Sequence, residues 1–284
     1  MKDIVYLNGK YIPLKKAKIS VLDRGFLFGD GVYEVIAVYN GELVGVKPHL
    51  DRLDRSLTKI SIPLPLDHKQ WHDIFTKLLH KNKITDGTYC IYLQVTRGVA
   101  PYRCHQFPAK AVTTVFAQVT SSPYALSYED LSRGTAVITA EDTRWQHCHI
   151  KSVALLPNVL FAQQAAEAGS VEVILLRDGY AIEGASSNLF IVKNGVIITP
   201  PLSEHILGGI TRKIVLQLAT KNGIPCKEQP IIEAELKAAD EIWITSSSRG
   251  IYPITKLDNK KVADGKVGSI WKQMIKLYRE HYNK

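Results

Sequence analysis

Glu183-Gly184-Ala185-Ser186-Ser187-Asn188-Leu189-Phe190 is the stretch on which the reading of this 284-residue chain turns. Asn188 through Val192 alternate into a strand, and Asn194-Gly195 is a strong hairpin signal before Val196-Ile197-Ile198-Thr199. Glu183 therefore falls at a strand end, where a side chain can reach a bound group. Taken alone it would be an ordinary exposed turn acid, the usual fate of a single glutamate.

Outward from this stretch, Leu207-Gly208-Gly209 leads into Ile210-Thr211-Arg212-Lys213-Ile214-Val215. Ile210, Ile214, Val215, Leu218 and Ala219 repeat at helical spacing, and Asn222-Gly223 supplies the stop. Free amides at such a helix start, with the helix dipole behind them, favour a phosphate. Gly208 and Gly209 would let the backbone approach it closely. Without a ligand the same residues make a plain glycine-linked strand-to-helix turn. Upstream, Lys151 stands in a weakly charged segment between Trp145-Gln146-His147-Cys148-His149-Ile150 and Ser152-Val153-Ala154-Leu155-Leu156-Pro157. From composition alone a lysine there extends to solvent; partial burial would leave it usable as a nucleophile and base.

An amine, a carboxylate and an anion site in this order suit pyridoxal phosphate, which needs a lysine for its aldehyde, an acid for its ring nitrogen and backbone donors for its phosphate. The long pattern from Glu183 to Arg212 resembles the signature of the class IV (fold type IV) aminotransferases. The resemblance covers essentially the whole chain, including Asp23-Arg24-Gly25-Phe26-Leu27-Phe28-Gly29-Asp30-Gly31-Val32-Tyr33-Glu34 and His49-Leu50-Asp51-Arg52-Leu53. It implies a two-domain fold of mixed α+β and α/β character with the cofactor lysine in the C-terminal domain; Thr120-Ser121-Ser122-Pro123 reads as the linker, which gives residues 1–120, a linker at 121–127 and a C-terminal domain at 128–284. It assigns Lys151 to the aldehyde and to proton transfer, and Glu183 to the ring nitrogen. It further assigns Arg52, Ile210, Thr211 and Ser247 to the phosphate, Leu207 to the underside of the ring, and Ser186 and Ser187 to the cofactor surroundings. A guanidinium suits phosphate because its fork makes parallel hydrogen bonds; otherwise Arg52 is a helix-surface residue paired with Asp51 or Asp54.

The segment Thr96-Arg97-Gly98-Val99-Ala100-Pro101-Tyr102-Arg103-Cys104-His105-Gln106-Phe107-Pro108 bears on the substrate. Positions i and i+2 of an extended loop share a face, so Arg103 and His105 can grip one carboxylate; alone, the stretch reads as a solvated basic loop. The pair resembles that of the D-amino acid aminotransferases within the family. There the Arg and His come from the neighbouring subunit and join a tyrosine, here Tyr33, on the α-carboxylate. The implied partners are D-amino acids and 2-oxo acids (D-alanine and 2-oxoglutarate giving pyruvate and D-glutamate), and the implied assembly is a homodimer. Branched-chain L-aminotransferases and aminodeoxychorismate lyases share the Lys and Glu but usually lack this pair, and remain the alternatives. Cys104 between the pair, Ala185 and Ser247 in place of more usual hydroxyl residues, and Arg249-Gly250 depart from the pattern.

Apolar content of 45% and charged content of 22% fit a globular enzyme. No apolar run approaches the about eighteen residues of a membrane span, and the start lacks a long apolar signal region, so a cytoplasmic protein is expected. Cys90, Cys104, Cys148 and Cys226 form no Cys-x-x-Cys pair and read as reduced thiols. Neighbouring side chains of His147-Cys148-His149 point to opposite faces of an extended chain, so no metal site is expected. The net charge of +9 raises a nucleic-acid-binding alternative, but the lysines are dispersed and no motif accompanies them.

Asn8-Gly9 and Asn40-Gly41 mark turns among strands, with Val32 to Tyr39 as a strong strand. One helix carries Leu50, Leu53, Leu57 and Ile60, and the next Trp71, Ile74, Phe75, Leu78 and Leu79. Strands are expected at Tyr89 to Thr96, Val112 to Val119, 135–140, 171–176, 188–199 and Glu241 to Thr245. Helices are expected at 157–168, from Ile210, in a short Glu- and Ala-rich stretch, and at the end around Ile270, Trp271, Met274, Ile275 and Tyr278.

Overall fold

The computed structural model describes residues 3–110, 112–122 and 127–282. The chain divides into two compact units. One holds the described residues of the first 123 positions together with Ile150–Leu155, and the other holds the rest. The linker expected at 121–127 falls mostly outside the described residues; Ser121 ends a strand and Ser127 caps a helix.

The first unit contains β1 (Ile4–Leu7), β2 (Lys10–Pro13), α1 (Arg24–Phe28), β3 (Gly31–Tyr39), β4 (Glu42–Leu43), α2 (Val46–Lys59), α3 (His68–Asn82), β5 (Thr88–Thr96) and β6 (Thr114–Ser121). Its strands form a sheet in the order β2-β1-β6-β5-β3-β4. Each pairing in it is antiparallel, with Gly31 to Tyr39 facing Thr96 to Thr88 residue by residue. Leu50, Leu53 and Leu57 of α2 and Trp71, Phe75 and Leu78 of α3 are buried against Val32, Ile36, Ile91 and Leu93 of the sheet. Asp67 caps α3 by accepting from Gln70 N, while the Gln70 side chain accepts from Asp67 N, so two otherwise unpaired amides are satisfied.

Ile150–Leu155, which the sequence places in the C-terminal domain, groups instead with this unit. Tyr33 N donates to Lys151 O at 3.0 Å, Val153 N donates to Gly31 O at 3.0 Å, and Val32 bridges Ser152. Backbone pairing to β3 thus decides where the lysine belongs.

The second unit contains α4 (Tyr128–Ser132), β7 (Thr135–Glu141), α5 (Leu156–Glu167), β8 (Glu172–Arg177), β9 (Tyr180–Gly184), β10 (Asn188–Lys193), β11 (Val196–Thr199) and α6 (Ile210–Lys221). It continues through β12 (Cys226–Glu228), β13 (Ile231–Ile232), α7 (Glu233–Lys237), β14 (Glu241–Ser246), β15 (Gly250–Leu257), β16 (Lys260–Lys261) and α8 (Ser269–Tyr282). The sheet order is β12-β11-β10-β14-β15-β7-β8-β9-β13, with β16 on β15. A further pairing, Asn188 with Glu183, joins β10 to β9 and so links the sheet path back on itself. Trp243 and Trp271 are fully buried, with Phe190, Ile244, Met274 and Val215 in the same core. No helix among the described residues is long and apolar enough to cross a membrane.

Candidate active site

Glu183 ends β9 and is buried rather than exposed. Its Oε1 accepts from Arg144 Nη1 at 2.8 Å; its Oε2 accepts from Asn188 Nδ2 and from Leu207 N, each at 3.1 Å. Burial pushes its carboxyl up to about 7, against the opposing pull of the Arg144 charge and the Leu207 amide. Arg144 is itself fixed by Asp142, donating from Nε and Nη2 at 2.9 Å each, and Arg177 donates to the same carboxylate at 3.0 Å. Leu207 is locked by its backbone, since Asn188 Nδ2 also donates to Leu207 O at 2.8 Å.

Ser186 and Ser187 follow on the turn after Glu183. Their hydroxyls both donate to Glu172 Oε2, at 2.7 and 3.2 Å, and Arg249 Nη1 donates to the same oxygen at 2.9 Å. Glu172 is buried, and these donors compensate its charge. A Cβ on Gly184 would lie 2.3 Å from Ser187 Oγ, so this packing requires glycine there. Arg249, a departure from the family pattern, is thus an internal partner of the turn.

Gly209 caps α6 with no side-chain hydrogen bond, so its first-turn amides, at Ile210 and Thr211, face no side-chain acceptor from that cap. A Cβ on Gly209 would lie 1.9 Å from Asn188 Oδ1. Glycine is therefore needed there to seat Asn188, a packing reason absent from the expectation of phosphate approach. Ser247 is half-buried in the turn between β14 and β15, where Arg249 N donates to Ser246 Oγ at 3.2 Å. Thr245, directly across from Asn188 in the ladder, has a buried hydroxyl with no hydrogen-bond partner among the described residues. Cross-strand partners share a sheet face, so that hydroxyl lies on the side toward which Asn188 reaches Glu183.

In the first unit, the half-buried Lys151 holds Nζ 4.1 Å from the centroid of the Tyr33 ring. Its backbone N donates to Ser56 Oγ at 3.3 Å. Tyr33 also stacks on Tyr92 at 5.9 Å. Arg52 is not on the helix surface: it is buried and donates from Nε and Nη2 to the two oxygens of Glu34, at 2.8 and 2.7 Å. Asp51 and Asp54, the alternative partners, are taken by Lys47 and His68. Burial works against the Glu34 charge, but Arg52 and His49 outweigh it and hold the carboxyl at about 2. His49 Nδ1 lies 2.7 Å from Glu34 Oε2, and burial lowers its pKa.

Arg103 and His105 lie exposed on the loop between β5 and β6. Both pack on Phe28: Arg103 Cζ is 4.9 Å from its centroid and the His105 ring 5.3 Å. The i, i+2 geometry therefore brings them together, while the contacts of Tyr33 run to Tyr92 and Lys151. His147 and His149 meet edge to face at 5.9 Å, with Cys148 buried and its thiol pushed up to about 11 by burial. Among the described residues no group of three or more His, Cys, Asp or Glu could hold a metal.

Arg144, Asp142, Glu34, His49 and Glu172 are absent from the sequence-derived set. The available signal was an acid inside an apolar strand run, as at Glu34 and Glu172, since such a group is buried only with partners.

Residues 31–257 match the family described as Amino-transferase class IV. The D-alanine aminotransferase of Staphylococcus epidermidis is 42% identical over 270 residues, covering 95% of this chain and 94% of that protein. That of Staphylococcus haemolyticus is 41% identical over 280 residues, covering 99% and 96%. Among solved structures, the branched-chain amino acid aminotransferase of Escherichia coli superposes with a TM-score of 0.87 at 25% identity, covering 97% of this chain and 92% of that one. The branched-chain aminotransferase of Thermoproteus uzoniensis gives 0.87 at 26%, covering 97% and 93%. By the family match and the near-full-length identity, this chain belongs to the class IV aminotransferases.

Proposed function

We propose that the chain is a pyridoxal phosphate-dependent D-amino acid aminotransferase that passes the amino group of D-alanine to 2-oxoglutarate, giving pyruvate and D-glutamate. The observation that carries the cofactor is Glu183, a buried carboxylate fixed at both oxygens, whose carboxyl titrates at about 7. Such a group can hold a proton on a basic ring nitrogen at neutral pH. The donor set fits the rest of the molecule: a half-buried amine at Lys151, a buried guanidinium at Arg52, uncapped amides at Ile210 and Thr211, and the unpartnered Thr245 hydroxyl. The substrate class rests on the likeness to D-alanine aminotransferases and on the Arg103/His105 pair.

When bound, pyridoxal phosphate supplies an aldehyde that exchanges amino groups and a ring that takes up electrons from the substrate Cα–H bond. With the group bound, Lys151 Nζ would hold its aldehyde and would move the proton to and from the substrate Cα. Glu183 keeps the ring nitrogen protonated. Arg52 is held in place for the phosphate by Glu34, with Ile210 N, Thr211 and Ser247 as further donors. Leu207 would pack against the ring, and Ser186 and Ser187 would act from the turn that Glu172 ties down. Tyr33 holds the substrate α-carboxylate with Arg103 and His105 of the other subunit, which sets the face of Cα offered to Lys151.

The proposal includes a cytoplasmic homodimer. Leu156, Val159 and Leu160 form an i, i+3, i+4 apolar stripe along α5, each more than half exposed in the single chain, which suits a two-fold contact. The four cysteines are free thiols, as a reducing compartment would keep them. Mixing an Arg103→Ala subunit with a Lys151→Ala subunit tests the shared site. Activity should return in the heterodimer, and its absence after proven exchange would remove the cross-subunit assignment.

A second reading, branched-chain L-amino acid transamination, is favoured by the solved neighbours, though at 25–26% identity against 41–42% for the D-alanine enzymes. Parallel assays decide: D-alanine should turn over faster than L-leucine, and the reverse order overturns the D-assignment.

A further inference from the structure

Arg24 opens α1 and is almost wholly buried, yet it has no role in the site described above. Its Nη1 donates to Cys104 O at 2.5 Å and to Gln106 O at 3.2 Å, and its Nη2 donates to His105 O at 3.1 Å. One guanidinium thus gathers three successive carbonyls of the loop that carries Arg103 and His105. Nε donates the other way, to Asp30 Oδ2 at 2.7 Å. Asp30 is shared with Arg97, which reaches both its oxygens at 2.8 and 3.0 Å and also donates to Ser61 O and Ile60 O just beyond α2. Two aromatic rings complete the arrangement. Phe107 covers Arg97 at 3.5 Å, and Phe28 is packed by Arg24 at 4.8 Å as well as by Arg103 and His105.

Among the described residues, the connection from Thr96 to Thr114 holds no helix or strand, only the single bridge of Val99 to Asp23, and it exceeds the about 12–15 residues usual for such loops. Side chains on a loop of that length grip a ligand weakly unless the ordering entropy has already been met. Asp30 offers one negative charge to Arg24 and Arg97, with Arg103 and His105 close by, so the cluster as a whole favours an anion. A lysine could not replace Arg24, because only the planar fork donates in several fixed directions at once.

We infer that Arg24 is a positioning residue for the substrate-carboxylate loop: it fixes the backbone at Cys104, His105 and Gln106 so that Arg103 and His105 present one preformed grip. This rests on the proposed role of Arg103 and His105. Arg24 touches neither substrate nor cofactor in this account; it sets affinity for the α-carboxylate through the loop.

The test uses the cofactor-loaded protein and the Arg24→Lys variant, with two readouts. Hydrogen exchange of a peptide spanning residues 102–107 should quicken several-fold, with the α2 and α6 peptides unchanged. In the single-turnover reaction with D-alanine, the apparent Kd should rise about tenfold, the loss of one charge-assisted grip, with the limiting rate within about twofold. Adding Arg24→Lys to Arg103→Ala should raise Kd by less than about twofold more, because residues acting through one another are not additive. Should Arg24→Lys fail to fold, Phe28→Leu removes the ring beneath Arg103 and His105 while leaving the guanidinium, and should raise Kd about threefold with the same unchanged rate. Unchanged exchange in the loop, a full tenfold increment on top of Arg103→Ala, or a fall in rate at constant Kd would each overturn the inference. If Arg103→Ala itself leaves Kd unaltered, the substrate assignment of the loop falls, and loop exchange alone then decides whether Arg24 is a clamp.

Discussion

Replacing Arg144 by glutamine removes the positive charge beside Glu183 and leaves Asp142 with Arg177 as a partner, so the fold around it should hold. Arg144 Nη1 lies 2.8 Å from Glu183 Oε1 with both side chains buried. A hydrogen bond between charged groups contributes about 1.5–3 kcal/mol, and one pKa unit corresponds to about 1.4 kcal/mol. Glu183, already raised to about 7 by burial, should therefore move up by about one to two units in the variant. In the cofactor-free protein its ionised fraction at pH 7 drops from about half to between about a tenth and a hundredth, and turnover of the loaded enzyme at that pH should drop by up to about fiftyfold. The limb of the kcat–pH profile assigned to Glu183 should shift to higher pH by the same one to two units, with activity regained at alkaline pH. Infrared titration of the Glu183 carboxyl in the cofactor-free protein gives the shift directly. A pH profile that keeps its wild-type limb, or a loss of activity equal at all pH values, would refute the reasoning.

Three further outcomes follow from the same contacts. Glu34 is depressed to about 2 by Arg52, so its contribution of about 3 kcal/mol is present above its unfolded pKa and lost as pH falls toward 2. Denaturant unfolding of Glu34→Gln at pH 7 should show a loss of about 3–5 kcal/mol from the uncompensated Arg52, and a smaller difference from wild type at pH 3. Glu183 has the opposite sign, because its pKa is raised: its favourable contribution is present at pH 4 and lost as pH rises through about 7. Cofactor-free Glu183→Gln should therefore gain on wild type by up to about 3 kcal/mol between pH 5 and pH 8, measured by the same unfolding assay. Gly209→Ala places a methyl 1.9 Å from Asn188 Oδ1, displacing a side chain that holds both Glu183 and Leu207; cofactor affinity, read by fluorescence titration, should weaken about tenfold or more.

Much of the fold could be read from local pattern. Val32 to Tyr39 and Tyr89 to Thr96 are strands as expected, and the helices bearing Leu50, Trp71, Ile210 and Trp271 lie where their apolar spacing put them. β6 starts at Thr114 rather than Val112, because Val112 is turned to solvent and its carbonyl abuts Gly98. β15 escaped notice because Gly250 opens it and Pro253 interrupts it, both weak strand signals, although its burial overrides them. At the proposed site, Glu183, Lys151, Arg52 and the α6 start were named through the resemblance, whose motifs are each local in the chain. Their supports were not, because those contacts join residues far apart in the chain: Arg144 to Glu183 across 39 positions, Arg249 to Glu172 across 77, and Arg24 to His105 across 81. The resemblance sets Ser186 and Ser187 in the cofactor surroundings, but no local pattern marks Glu172, to which both hydroxyls donate. Likewise Phe28, which gathers Arg103 and His105, has no sequence feature that marks it as their common seat.

The central claim is that Lys151 Nζ carries the cofactor beside Tyr33. Borohydride reduction of the purified, pyridoxal phosphate-loaded protein, followed by proteolysis and mass mapping, tests it most directly. The account predicts a phosphopyridoxyl mass on the peptide containing Lys151, and its loss in Lys151→Ala. A label on another lysine, or a protein that takes up no pyridoxal phosphate, would contradict it.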